Sequence, residues 1–97
     1  MEQSAVKGAA RKVVEAARDD LVTLSRQIHD NPELCFEETY ASERVAETLA
    51  AGGFAVETGA YELPTAFEAR AGSGPLSIVI CAEYDALPGS ATPVATT

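Results

Sequence analysis

Leu76-Ser77-Ile78-Val79-Ile80-Cys81-Ala82 runs directly into Glu83-Tyr84-Asp85-Ala86-Leu87-Pro88-Gly89, and the fold turns on how this stretch is read. Its first seven residues carry no charge and centre on β-branched side chains. A continuous run of that kind predicts a strand buried on both faces, as in the middle of an α/β sheet. The run then presents two carboxylates, Glu83 and Asp85, and closes in a Pro-Gly turn. In open α/β sheets, ligands and catalytic groups gather beyond the carboxyl ends of the strands. Two acids there could bind a divalent cation or orient a histidine that does. The plainer alternative is that both acids merely cap a loop, since acids are common in turns.

Working back from this run, Gly72-Ser73-Gly74-Pro75 is a strong turn signal. Residues 65–71 alternate weakly and residues 54–61 form a second strand candidate, separated by a turn near Glu62-Leu63-Pro64. Gly52-Gly53 should stop a helix over residues 37–51, in which Ala41, Val45 and Leu49 share one face. Glu37 and Glu38 suit the positive end of that helix. A longer helix is expected over residues 4–29, with Ala10, Val13, Val14, Ala17, Leu21, Leu24 and Ile28 as its apolar stripe. Asp30-Asn31-Pro32 ends it, because proline disfavours helical backbone at the residue before it. The predicted class is α/β: two amino-terminal helices, then three strands.

A chain of 97 residues has room for one small domain. Its net charge of −8 argues against nucleic acid, which is held by clustered Lys and Arg. Lys7, Arg11, Lys12, Arg18, Arg26, Arg44 and Arg70 are instead scattered among acids. The start, Met1-Glu2-Gln3, lacks the basic-then-apolar pattern of a signal peptide, and the longest apolar run is far too short to span a bilayer. Cys35 and Cys81 form no C-x-x-C pair, so the expectation is a cytoplasmic protein with buried, inert thiols. His29 is the lone histidine, at a helix carboxyl end, where capping or packing is expected rather than metal ligation. No nucleophile elbow, phosphate-binding loop or dinucleotide fingerprint is present.

Three segments together carry a resemblance. They are His29-Asp30-Asn31-Pro32-Glu33-Leu34 with Phe36-Glu37-Glu38, then Leu63-Pro64-Thr65-Ala66-Phe67, then Cys81 through Gly89 as quoted above. In this order they resemble metallopeptidase family 20. The likeness is to the amidohydrolase branch holding amino-acid-conjugate hydrolases, aminobenzoyl-glutamate hydrolases and certain dipeptidases. Cys35 is a mild departure, since that place usually holds a small residue. The resemblance implies a zinc-peptidase-like α/β catalytic domain with a smaller inserted domain for dimerisation, so that the parent would be a homodimer. It also implies a dinuclear zinc or manganese centre that polarises an amide carbonyl and activates water. Asp85 matches the aspartate that orients a metal-binding side chain, and Glu83 stands where other branches place a histidine ligand. No residue of this chain is carried over as a metal ligand, and no substrate-binding residue is identified.

In this branch a Gly-His-Ala-Cys-Gly-His-Asn segment is expected directly after the Pro-Gly turn. Residues 90–97 read Ser-Ala-Thr-Pro-Val-Ala-Thr-Thr instead. A coding sequence for Ile-Gly-His-Ala-Cys-Gly-His-Asn is ATC GGC CAC GCC TGT GGC CAC AAC. Losing one base gives TCG GCC ACG CCT GTG GCC ACA AC, which reproduces all eight residues. A following GTG ATC or CTG ATC then supplies TGA. The expected organisation is therefore residues 1–89 as the amino-terminal part of a metal-dependent catalytic domain and residues 90–97 as a frameshifted, non-homologous tail. The parent would hydrolyse an amide bond of a small N-acyl amino acid or dipeptide-like substrate, with no nucleic-acid or membrane partner. This chain would be inactive, hold no cofactor, and be prone to aggregate. The alternative is a small non-catalytic interaction module built on the same fold.

Overall fold

A computed structural model describes residues 3–88. Gly89 and the proposed frameshifted tail, residues 90–97, lie outside the described residues. Three helices come first: α1 (Gln3–Ala16), α2 (Arg18–Asp30) and α3 (Thr39–Ala51). Two short strands follow, β1 (Ala55–Thr58) and β2 (Phe67–Arg70), joined through a tight turn at Ala60–Glu62.

The long first helix expected over residues 4–29 is divided at Ala17, which takes φ −91° and ψ 0°. The break is shallow. Ala17 N–H still reaches the Val13 carbonyl at 3.1 Å, and Leu21 N–H reaches that of Ala17 at 2.9 Å. The expected end before Pro32 holds, with one addition. Asn31 turns its side-chain amide back to the Gln27 carbonyl at 2.8 Å, taking up one of the acceptors that every helix end leaves open. The Gln27 side chain in turn accepts from Arg44 Nε at 3.1 Å, which ties α2 to α3.

α3 stops where its glycines say it should. Gly53 takes φ +96°, its N–H bonds the Ala50 carbonyl at 3.1 Å, and Phe54 N–H bonds that of Leu49 at 3.0 Å. This pair of bonds is a Schellman cap, and its left-handed residue is the reason for glycine there. The turn aims the chain into β1, which pairs antiparallel with β2 in the register Ala55↔Arg70, Val56↔Ala69, Glu57↔Glu68 and Thr58↔Phe67. Val56 and Ala69, opposite each other, are both half-buried. α3 packs against both strands.

The small core sits between α3 and this hairpin. Its buried residues are Ala41, Ser42, Ala46, Ala60 and Thr65, all small, which lets helix and hairpin backbones approach closely. Val45 and Leu49, expected on the same face as Ala41, are half-buried beside them. The stripe on the first two helices fares differently: Val13, Val14 and Leu21 are exposed, and neither α1 nor α2 has a buried residue. The periodicity predicts helix over this stretch, though as one helix rather than the two observed. Further along the stripe Leu24 and Ile28 are half-buried, where α2 meets α3.

The third strand is a correction. Residues 76–82 join no ladder, and Ile78, Val79 and Ile80 stand at 81%, 80% and 90% exposure. A strand exists only by pairing, and β-branched content favours a pleated surface only where neighbouring strands supply one. β1 and β2 pair with each other, and no further described segment reaches this run. Among the described residues the observed class is therefore mixed α and β, with three helices and a two-stranded antiparallel sheet.

Candidate functional site

The three sequence segments that carry the family resemblance meet in space. Pro32 is followed by a tight turn: Glu37 N–H bonds the Leu34 carbonyl at 3.0 Å, and Phe36 takes φ +67°. The turn carries Glu33 back over the start of α3. There Glu33 Oε1 accepts Ala41 N–H at 2.9 Å, and Oε2 accepts Tyr40 N–H at 2.9 Å and the Thr39 hydroxyl at 3.2 Å. Helix starts carry unsatisfied N–H groups and a partial positive charge, so a carboxylate there is doubly favoured. The acids expected in this place were Glu37 and Glu38. α3 begins later, at Thr39, and a residue further back in the chain caps it.

Glu38 is redirected. Its Oε1 accepts the hydroxyl of buried Thr65 at 3.0 Å, joining the first segment to the second. The third segment closes the assembly. Ala86 N–H donates to the Glu33 carbonyl at 2.7 Å, and the Tyr84 hydroxyl donates to the Thr65 carbonyl at 2.6 Å. The Tyr84 ring stacks on Phe67, with centroids 6.2 Å apart and planes 18° from parallel. Segments distant in sequence thus converge on Glu33 and Thr65.

Burial alternates along the third segment. Tyr84 and Ala86 are half-buried and turned to the body, whereas Glu83 and Asp85 are exposed. Neither acid has a hydrogen-bond or ion-pair partner among the described residues. His29 is likewise on the surface, its side chain 74% exposed, with Nδ1 3.4 Å from Asp30 Oδ1 in the last turn of α2. That position suits the negative helix end, and it is not a packing role. Cys35 and Cys81 are free and exposed, which corrects the buried thiols expected of them: Cys81 lies on the unpaired run and Cys35 in the tight turn. No group of three or more His, Cys, Asp or Glu side chains able to hold a metal ion occurs among the described residues. A shallow surface hollow is lined by Thr39, Ser42, Glu43, Thr58, Gly59 and Pro64, with Glu83, Asp85 and His29 all outside it.

Thr65 and Tyr84 are the residues that sequence reasoning passed over. Both lie within the quoted segments, but nothing in spacing marks a buried hydroxyl or a phenol as a joint between them. A separate polar cluster sits on the hairpin, where the Glu68 carboxylate accepts from the Tyr61 hydroxyl and from Arg70 Nε.

The chain has curated relatives. It is 40% identical over 76 residues to one of the subunits of the p-aminobenzoyl-glutamate hydrolase of Escherichia coli (strain K12), covering 78% of this chain and 16% of the relative. Thermostable carboxypeptidase 2 of Saccharolobus solfataricus is 39% identical over 77 residues, covering 77% of this chain and 19% of the relative. The Xaa-Arg dipeptidase of Homo sapiens is 37% identical over 98 aligned positions, covering 87% of this chain and 22% of the relative. The chain thus spans about a sixth to about a fifth of the length of the curated relatives it matches. No family model matches it, and no solved structure matches it significantly.

Proposed function

This chain belongs to the amidohydrolases of metallopeptidase family 20, and we propose that residues 1–89 are the amino-terminal part of a metal-dependent catalytic domain from that family. The observation that carries the reading is the convergence of the three family segments, with Glu33 bonded to Ala86 and Thr65 bonded to Tyr84. That convergence leaves Asp85 on the surface at the end of the unpaired run, where further strands and ligands of a complete domain would gather. Relatives named as a hydrolase, a carboxypeptidase and a dipeptidase support amide-bond hydrolysis as the chemistry of the parent protein. Its substrate would be an N-acyl amino acid or a dipeptide-like molecule, and the parent would be a cytoplasmic homodimer.

The family's dinuclear zinc or manganese centre does not fit the residues described. Such a centre needs several His, Asp, Glu or Cys ligands around each metal, and no group of three occurs among the described residues. His29 pairs with its neighbour Asp30 and adds no ligand set. Asp85 would act only in support, orienting a ligand supplied by other parts of the parent. The chain by itself is accordingly proposed to be inactive.

Residues 90–97 are proposed to be the family's metal-binding segment read one base out of frame. The test is at the gene. Sequencing past the Gly89 codon should reveal a Gly-His-Ala-Cys-Gly-His-like segment in the adjacent frame. Restoring that frame should yield a protein that hydrolyses acyl-amino acids or dipeptides with zinc or manganese. Hydrolysis by the 97-residue chain itself, or an adjacent frame without that segment, defeats the proposal.

A further inference from the structure

We propose that Glu33 is a positioning residue for Asp85, acting through both ends of its own residue. Its carboxylate is immobilised first. Both oxygens are engaged by α3: the Tyr40 and Ala41 amides at 2.9 Å each, with the Thr39 hydroxyl at 3.2 Å. Bonds to an ionised acceptor are the strong kind, and here two diverge onto one helix start. α3 is itself packed against the hairpin strands, and its Ala41 and Ala46 are buried. Where the carboxylate is fixed, a short side chain limits where the Glu33 main chain can lie.

The other end of the residue uses that placement. The Glu33 carbonyl accepts the Ala86 N–H at 2.7 Å. That N–H belongs to the planar peptide unit that also holds the Asp85 carbonyl and Cα. On the opposite side of Asp85, Tyr84 is held by its bond to the Thr65 carbonyl and its stack on Phe67. Thr65 in turn reaches Glu38, at the start of the same helix. Asp85 is therefore bracketed by two anchors, the Ala86 main-chain amide on one side and the Tyr84 side chain on the other, both traced to the amino end of α3. Its own carboxylate has no partner among the described residues, so these anchors set its direction. That Asp85 has a task to be aimed at rests on the reading of it given above.

Amide hydrogen exchange followed by NMR on the 97-residue chain tests this. In Glu33→Ala, protection should fall at least about tenfold at Tyr40 and Ala41 and also at Ala86, more than thirty residues along the chain. Glu33→Gln keeps one acceptor oxygen at the same reach, so it should recover part of the Ala86 protection but leave it below that of the unaltered chain. Loss at Tyr40 and Ala41 with Ala86 unchanged would mean that the carboxylate only caps α3, and the proposal would fall. It would fall equally if Glu33→Gln behaved like Glu33→Ala at Ala86, or if the Ala86 amide were already unprotected in the unaltered chain. Should Glu33→Ala not fold, the Gln variant carries the comparison, with Ala86 protection no different from the unaltered chain as the contrary result. None of these readouts depends on hydrolysis. A wrong reading of Asp85 would show separately, as a frame-restored enzyme whose turnover is indifferent to Asp85→Ala.

Discussion

On β2 the Glu68 carboxylate receives the Tyr61 hydroxyl on one oxygen and Arg70 Nε on the other. The bond from Tyr61, followed by that from Arg70, holds the Glu68 carboxyl below the usual carboxylate range. The same Tyr61–Glu68 bond, reinforced by the negative charge of Glu68, holds the Tyr61 phenol above its ordinary value. The two shifts act at opposite ends of the pH scale. Glu68 contributes stability that is present above its unfolded pKa of about 4.3 and is lost as pH falls through its lower folded value. Tyr61 contributes stability that is present below its unfolded pKa of about 10 and is lost as pH rises through its raised folded value. Both lie near water and are screened by salt, so the effect on stability is small and the titrations are the better readout. Glu68→Gln should return the Tyr61 phenol toward its ordinary value in an NMR titration of the tyrosine rings. A Tyr61 titration that does not move would show that the bond is not formed in solution. Single residues of this kind are hard to find from sequence: Glu68 also faces Glu57 across the hairpin, an unfavourable pairing that gives no hint of Tyr61 and Arg70 beside it.

Among the elements, α3 shows what local sequence can and cannot specify. Its end was legible because Gly53 adopts a backbone conformation that other residues take only at a cost. A Cβ added at Gly53 would meet no atom within 4 Å, so the cost of a side chain there is that of the backbone alone. Gly53→Ala should therefore destabilise the chain by about 1 kcal/mol, as read from the midpoint of urea unfolding at constant slope. A change within about 0.3 kcal/mol would mean that the left-handed turn is not populated. Its beginning was misread by two residues, because the capping acid comes from Glu33, across a turn in which Phe36 is left-handed. Phenylalanine gives no local signal for that conformation, whereas glycine or asparagine would have. The hairpin was expected with longer strands, over residues 54–61 and 65–71. Gly59, Tyr61 and Glu62 all take positive φ, which ends β1 at Thr58 and turns the chain before β2.

At the scale of the whole molecule, large apolar side chains among the described residues stand open to water. Val13 and Val14 stand open on α1, and Leu76, Ile78, Val79 and Ile80 stand open on the unpaired run. An extended, uncharged apolar run with unpaired backbone is a template for self-association. Ile80→Lys places a charge in that run at a side chain 90% exposed, so it should raise the soluble fraction and reduce light scattering without altering the Tyr40 and Ala41 amides. Scattering unchanged by that substitution would locate the association elsewhere, with the valines of α1 the next surface to alter.

The sequence by itself determined where helix forms, its glycine and proline limits, and the family, though not the break at Ala17 or the start of α3, because each of the former depends on local backbone preference or on motifs read in order. It also marked residues 76–82 as strand-like in character. Whether that character becomes a strand was decided only by the tertiary structure, since a ladder needs a partner and none of the described segments provides one. The convergence of Glu33, Thr65, Tyr84 and Ala86 was decided at the same level. Each of those bonds joins groups far apart in sequence, two of them ending on a main-chain carbonyl and one on the Glu38 carboxylate. Their formation depends on where the turn after Pro32 and the hairpin place the chain, and no residue type or spacing encodes that alone.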